Sequence, residues 1–286
     1  MDNLKAKKRH PEEIAVYTAI YVCAAFSVLL LLGIIIYVFA KGARRVNWAF
    51  LTGVTSILHG TVGIAGNILN TLIIILLTMI ITTPIGVGAA IYLNEYAKPG
   101  KLVTVIIFAT ETIAGIPSII FGLFGMLFFG QLCHMGYSLL TGSLTLTLMV
   151  LPLVTRNTQE ALKTVPDSFR TGAVGLGAGK WYTIRTILLP SAMPGIVTGV
   201  ILAIGRIIGE SAALLFTAGS AHLLPKTFNA FLEKIFHSGG TLTIQLYLSA
   251  SKGEFEVAFG IAVVLLVIVL LINFGTKRLA KKLEKH

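Results

Sequence analysis

The sequence predicts an all-α integral membrane protein with six transmembrane helices, on three observations. Its 286 residues are 55% hydrophobic and 12% charged, with a mean hydropathy of +0.87, which is more apolar surface than one soluble core hides. The apolar residues fall in long runs, and a crossing helix needs about 20 of them to span roughly 30 Å of hydrocarbon. The basic residues sit in short segments between and beyond those runs, where orientation signals belong.

Six segments have the required length: residues 14–40, 67–93, 103–129, 137–155, 190–219 and 256–273. Together they make a single permease-like domain over 1–286. The first follows the basic stretch KAKKRH and resembles a signal peptide, but its apolar run is too long and lacks a small-residue exit, so it is expected to be retained. The second places Asn67, Asn70, Thr71, Thr78 and Thr82 along one helical stripe. That stripe faces either neighbouring helices, as hydrogen-bonding groups, or a water-filled path. The third carries Glu111 and then the breaker-rich AGIPSIIFGLFG around Pro117, and the fourth ends at Arg156, expected to anchor the helix at the interface. Cys23 and Cys133 have no disulfide or metal-ligand spacing and are expected to be packed, unpaired thiols.

Orientation follows from the Lys and Arg distribution. With both termini cytoplasmic, sixteen of these residues lie on the cytoplasmic side and six outside. The loop 156–189 is then cytoplasmic, and the outer segments 41–66 and 219–255 are long enough for short helices or an extracytoplasmic partner. The net charge of +11 is thereby absorbed by membrane topology, and a nucleic-acid partner is not indicated. The longest polar stretches, about 35 residues, are too short for a separate catalytic core. Zinc-hydrolase, nucleophile-elbow and Walker A signatures are absent, and HGTVGIAGN before the second span has glycines but no Gly-Lys-Ser/Thr. If nucleotide hydrolysis supplies energy, another subunit performs it.

The segment from Pro166 to Ala218 is the most informative. Its first half is polar and broken by Gly; its second is apolar except for Arg206 and Glu210. Gly177, nine residues, then Ile187, Leu188, Leu189 and Pro190 match the cytoplasmic loop shared by permease subunits of ABC importers, with Ala173 at the last Ala of its EAA start. Thr171 and Gly172 depart from the Glu and first Ala of that start. Pro166 and Asp167 favour a helix start after Arg156's loop, and Gly177 a left-handed helix end. Trp181 and Tyr182 offer an aromatic surface to a partner or the interface.

The wider chain resembles the PstA-type permease subunits of bacterial phosphate ABC importers, through GAAIYLNEYA (88–97), AGIPSIIFGLFG (114–125), LPLVTRNTQEALKTVPDSFR (151–170) and LPSAMPGIVTGVILAIGRIIGESAALLFTAG (189–219). The resemblance implies a type I ABC-importer permease fold with a cytoplasmic coupling helix, set in the bacterial inner membrane. It implies a second, PstC-like permease, a PstB-like ATPase dimer and a PstS-like extracytoplasmic phosphate-binding protein, within membrane lipid. No cofactor is expected on this chain itself; ATP and Mg belong to the ATPase. Arg170, Thr171, Gly172, Ala173, Gly177, Ile187, Leu189 and Pro190 are then the expected ATPase-coupling residues, acting through the 166–190 loop.

Phosphate is an anion, and an uncompensated charge in hydrocarbon is prohibitive. Arg206 lies near the middle of the fifth span with Glu210 one turn on, if the helix continues. Its guanidinium fork matches two phosphate oxygens. Glu210 could steady Arg206 or accept a hydrogen bond from a P–OH group, favouring phosphate over sulfate. Glu111 is a further partner for Arg206 or for an arginine of the companion subunit. A purely structural ion pair between Arg206 and Glu210 is the other reading of these charges. Gly195, Gly199, Gly205 and Gly209 would let a neighbouring helix approach. Another oxyanion (sulfate, molybdate or phosphonate) is the alternative substrate, and an ATP-independent transporter the alternative mechanism.

Overall fold

The computed structural model describes residues 11–56, 61–98, 100–225 and 227–283; Lys5–Arg9, His59–Gly60 and Lys226 lie outside them. Helix α1 (Pro11–Gly42) runs into a 3₁₀ turn (Ala43–Arg45). The short α2 (Trp48–Thr52) follows, its first turn closed by Asn47 Oδ1, which accepts from Phe50 N at 2.8 Å. Strands β1 (Val54–Ser56) and β2 (Thr61–Ile64) pair antiparallel, with Val54 opposite Ile64 and Ser56 opposite Thr61. They deliver the chain to α3 (Ala65–Ile91), which ends in a widened π turn, Tyr92–Tyr96.

The segment expected to form one span over 103–129 is two helices. α4 (Lys101–Ala114) and α5 (Ser118–Gly125, prolonged by a π turn to Leu132) meet at an angle of 102°. Gly115 ends α4 cheaply, and Pro117 has no N–H to give a continuing helix and disfavours helical backbone at Ile116. α6 (Leu139–Lys163) starts at Ser138, whose Oγ accepts from Thr141 N at 3.1 Å. It runs eight residues beyond the end expected at 155. α7 (Asp167–Gly175), α8 (Lys180–Thr183) and a π turn (Ile184–Leu188) lead into α9 (Leu189–Gly209). α9 stops ten residues before the expected span end of 219, and α10 (Ala212–Thr217) starts after a break at Glu210 and Ser211. α11 (Phe228–Glu233), a 3₁₀ turn (Lys234–Phe236), α12 (Leu242–Ser251) and α13 (Phe255–Leu283) complete the order. Among the described residues, five helices are long and apolar enough to cross a membrane, and six crossings result if the bent α4–α5 pair counts as one span.

The core lies between α3, α6 and α9. Ile74, Leu146, Val150, Ala203, Ile207 and Leu214 are buried in one cluster. A second cluster, containing Ile91, Leu162, Val165, Ile184, Leu188 and Ile196, joins the ends of α3 and α6 to the start of α9. Gly195 and Gly199 permit this approach: a Cβ on Gly195 would lie 2.5 Å from Ala161 Cβ, and one on Gly199 2.7 Å from Asn157 Cβ. Gly205 and Gly209 face open space instead.

The polar stripe of α3 faces protein. Asn67 Nδ2 donates to Gly240 O at 2.9 Å, Asn70 Nδ2 to Ala221 O at 3.1 Å, and Thr71 Oγ1 accepts from Leu242 N at 3.0 Å. Thr78 Oγ1 donates to Ser143 O of α6 at 3.4 Å. The first three bonds tie the connection between α10 and α12, and the first residue of α12, to the start of α3; the fourth joins α3 to α6. Cys23 and Cys133 are free, but both are exposed rather than packed. For Cys23 the reason is that α1 packs chiefly along α13, and its other faces point outward.

Candidate functional site

Three helices bring charge to one place. Glu111 from α4, Arg156 from α6 and Arg206 from α9 line a common cavity of ≈ 270 Å³, floored by Phe121, Met149 and Pro152. Each has a structural reason to be there. Arg206 occupies the last turn of α9, where the helix C-terminus favours a cation. Glu111 lies just before the α4–α5 bend, which folds the chain back over α6. Arg156 stands well inside α6, because no Pro or Gly lies between it and Pro166 to end the helix. An adjoining cavity of ≈ 170 Å³ shares Thr110, Glu111 and Arg156 and adds Gln159, Glu160 and Lys163. There Arg156 Nε sits 3.3 Å from Glu160 Oε1, an exposed pair one helical turn apart. The two cavities run along α6 from Arg206 to Lys163 and share Glu111 and Arg156.

Glu210 is elsewhere. α9 ends at Gly209, and Glu210 adopts extended backbone (φ −83°, ψ 119°), so the one-turn register with Arg206 is broken. Its side chain is buried, and Oε1 accepts from Ala213 N at 3.1 Å, closing the first turn of α10. Thr243 Oγ1 donates to the Glu210 carbonyl at 3.0 Å. Among the described residues, no ion pair joins Arg206 to Glu210.

The second region is the projecting α7. Its end is a Schellman turn: Gly177, at φ +79°, donates to Val174 O, and Ala178 donates to Ala173 O, both at 2.9 Å. Ala173 is buried, while Thr171 and Gly172 face outward. Phe169, Val174, Leu176, Trp181 and Tyr182 are all exposed and make an apolar, aromatic outer face on α7 and α8. Ile187 and Leu189 are half-buried at the junction with α9, Pro190 is exposed, and Leu188 between them is buried in the second core cluster.

Arg170 turns inward from this face. Its Nη2 lies 2.9 Å from Glu95 Oε1 at the end of α3, and its Nη1 3.0 Å from Asp167 Oδ1. The same two nitrogens donate to the carbonyls of Leu162 and Val165 at the end of α6, each at 3.0 Å. The Glu95 hydrogen bond raises the Arg170 pKa above its ordinary value, against the opposing effect of burial. Lys180 adds a second link, its Nζ 4.7 Å from the centre of the Tyr96 ring. Glu95 stands in the segment GAAIYLNEYA without any spacing that announces its partner, 75 residues away. Its signal is only a lone carboxylate at the end of a membrane helix.

A bundle of membrane-crossing helices, with a charged cleft open on one face and a short helix strapped across one end, defines a multi-pass permease subunit. The chain belongs to the family of inner membrane components of binding-protein-dependent transport systems, whose model matches residues 82–286. It is similar to the probable ABC transporter permease protein YqgI of Bacillus subtilis, 35% identical over 273 residues that cover 92% of this chain and 93% of that protein. It is similar also to the phosphate transport system permease protein PstA of Xylella fastidiosa, 35% identical over 246 residues, covering 84% and 82% of the two chains. Among solved structures, a bacterial alginate ABC transporter, in complex with a periplasmic protein bound to alginate pentasaccharide, superimposes with a TM-score of 0.70 over 96% of each chain. At 14% identity that likeness concerns the fold. The fold is that of type I ABC-importer permeases.

Proposed function

We propose that this permease carries inorganic phosphate across the inner membrane, with Arg206, Arg156 and Glu111 lining the anion's way. The observation that carries the reading is the convergence of two guanidinium groups and one carboxylate, from three helices, on a single cavity. A guanidinium remains charged at any working pH and pairs two of its N–H groups with two oxyanion oxygens. Glu111 tempers the net charge so that the anion is released rather than trapped. The PstA name of several relatives supports phosphate. The same forks suit other tetrahedral oxyanions, and the name of the Bacillus relative specifies no substrate, so sulfate, molybdate or phosphonate is the second reading.

Arg206 is exposed on this chain alone, and an arginine facing hydrocarbon costs at least about 3 kcal/mol. A second, PstC-like permease covering that face removes the cost and completes the path. A PstB-like ATPase, using ATP and Mg, docks on the apolar face of α7 and α8, and a PstS-like protein delivers phosphate from outside. The Lys and Arg distribution supports a cytoplasmic α7 and cytoplasmic termini. Glu210 serves this path indirectly, by fixing the turn after Arg206.

The test is Arg206→Gln in the assembled complex, reconstituted into proteoliposomes. Uptake of phosphate should fall by at least about tenfold while ATP hydrolysis and assembly persist. Normal uptake would remove Arg206 from the path. Competition by sulfate at equal strength in the wild-type complex would favour the second reading.

A further inference from the structure

We infer that the end of α1 forms a binding site for the phosphodiester headgroup of an anionic phospholipid, built from Lys41, Arg44 and Arg45 above Tyr37, Phe255 and Phe259. The site begins with Gly42, where α1 touches α13 so closely that a Cβ would lie 2.2 Å from the Phe259 carbonyl oxygen. Immediately beyond this contact the chain tightens into the 3₁₀ turn Ala43–Arg45. Three cations are thereby held within five residues around a cavity of ≈ 970 Å³.

The cavity has two chemically different walls. One is aromatic: Tyr37 meets Phe259 edge-on at 5.7 Å, and Phe255 is largely exposed beside them. The other is cationic. Lys41 Nζ stands 6.0 Å from the Tyr37 ring. The stem of Arg45 lies against Gly260, where a Cβ would come within 3.1 Å of Arg45 Cγ, and its guanidinium carbon stands 5.9 Å from the Phe50 ring. Arg45 Nε is buried and has no hydrogen-bond acceptor. Among the described residues, none of the three cations has a carboxylate within 4.0 Å. Glu256 also lines the cavity, which leaves it two positive charges in excess.

This cluster lies at the far end of α3 from α7, about 40 Å away at 1.5 Å per residue. On the orientation proposed above it is on the outer side, where half of the six outer cations fall within this one turn. A local anion accounts for that concentration against the general preference for cytoplasmic cations. Free phosphate and a lipid phosphodiester share the chemistry that these groups recognise. The surroundings favour lipid: α1 contributes a membrane-length window with none of its residues buried, and Trp48, an interfacial residue type, is 78% exposed close by. Headgroup on the cations and acyl chain along the aromatics use both walls at once.

The experiment measures lipid retained by the intact transporter complex in native mass spectrometry, titrating phosphatidylglycerol against phosphatidylcholine. It reads lipid alone, so its outcome is independent of which anion the transporter carries. The wild-type complex should retain phosphatidylglycerol at least about tenfold over phosphatidylcholine, and K41Q/R44Q/R45Q should lose that preference. Glu256→Gln should raise it by roughly fivefold, since it removes the one opposing charge. Exposed Arg44 changed singly to Gln, which leaves the Arg45 packing intact, should lower it by a similar factor if the triple variant does not assemble. Millimolar inorganic phosphate should leave the retained lipid unchanged. Any of three results overturns the inference: a preference unmoved by these variants, displacement of the lipid by inorganic phosphate, or no phosphatidylglycerol on the intact complex because a partner chain covers the site.

Discussion

The guanidinium of Arg170 lies 2.9 Å from the Glu95 carboxylate, and through it α7 is fastened to the end of α3. Glu95 is nearly buried and Arg170 about three-quarters so, with side-chain exposures of 8% and 23%. The same guanidinium also holds the last carbonyls of α6. A push on α7 therefore reaches two core helices directly, as well as α9 through the π turn Ile184–Leu188. Arg170→Lys keeps the charge but cannot reach four acceptors with one nitrogen. Loss of the paired bonds should cost about 1–3 kcal/mol locally. We expect Arg170→Lys and Glu95→Gln to leave ATP hydrolysis measurable and to lower uptake per ATP hydrolysed by at least about threefold. An unchanged ratio of uptake to hydrolysis would show that force reaches the bundle by another route.

Glu210 closes α10 rather than pairing with Arg206, and this sets apart two substitutions at that position. Glu210→Gln retains a side-chain oxygen able to accept from Ala213 N. It should leave the ratio of phosphate to sulfate uptake unchanged. Glu210→Ala removes the acceptor and should destabilise the protein by about 1 kcal/mol, seen as a lower unfolding temperature in detergent. A selectivity change in the Gln variant, with stability intact, would instead put this carboxylate beside the substrate.

The long apolar runs made the membrane helices readable, because a span's length and hydrophobicity are local properties of the chain. The bend after Ala114 was foreshadowed by Gly115 and Pro117, yet its angle depends on packing against α6 and α10. There a Cβ on Gly122 would meet Ala213 Cα at 2.8 Å, and one on Gly125 would meet Thr145 Oγ1 at 2.0 Å. Arg156 reads as a helix-end anchor when the apolar run alone defines the helix; residues 156–163 are mostly good helix formers (Arg156, Gln159, Glu160, Ala161, Leu162 and Lys163), and α6 carries through them. Placing Glu210 beside Arg206 assumed an unbroken α9, whereas the carboxylate finds a backbone donor only where α9 ends. The Glu95–Arg170 pair joins distant segments, and no periodicity encodes it.

Close packing of α9 on α6 rests on two glycines. A Cβ at Gly199 would come within 2.7 Å of Asn157 Cβ, an atom fixed to the α6 backbone and unable to swing aside. Gly199→Val must therefore part the two helices, at about 1–3 kcal/mol for overpacking. Gly205→Ala, which meets nothing within 4 Å, should be neutral or slightly stabilising through helix propensity. Thermal unfolding of the two variants in the same detergent checks the contrast, and equal loss in both would mean that the helices are not in close contact at Gly199.

Lys234, in the connection between α10 and α12, is the remaining electrostatic anomaly. It is buried at 6% exposure, and its Nζ donates to the Leu223 carbonyl. Burial pushes its pKa below the ordinary lysine value. The sign of the pH dependence follows from proton counts. Between the lowered folded value and the ordinary value near 10.4, the unfolded chain binds more protons than the folded one, so stability rises with pH across that window. Below it both states are protonated, and the cost of the buried charge is carried in full. Lys234→Met removes the titrating group. Its unfolding temperature should lose the upward component that wild type shows as pH is raised toward about 10.4. If wild type and Lys234→Met follow parallel pH profiles, Lys234 titrates as an ordinary solvated lysine.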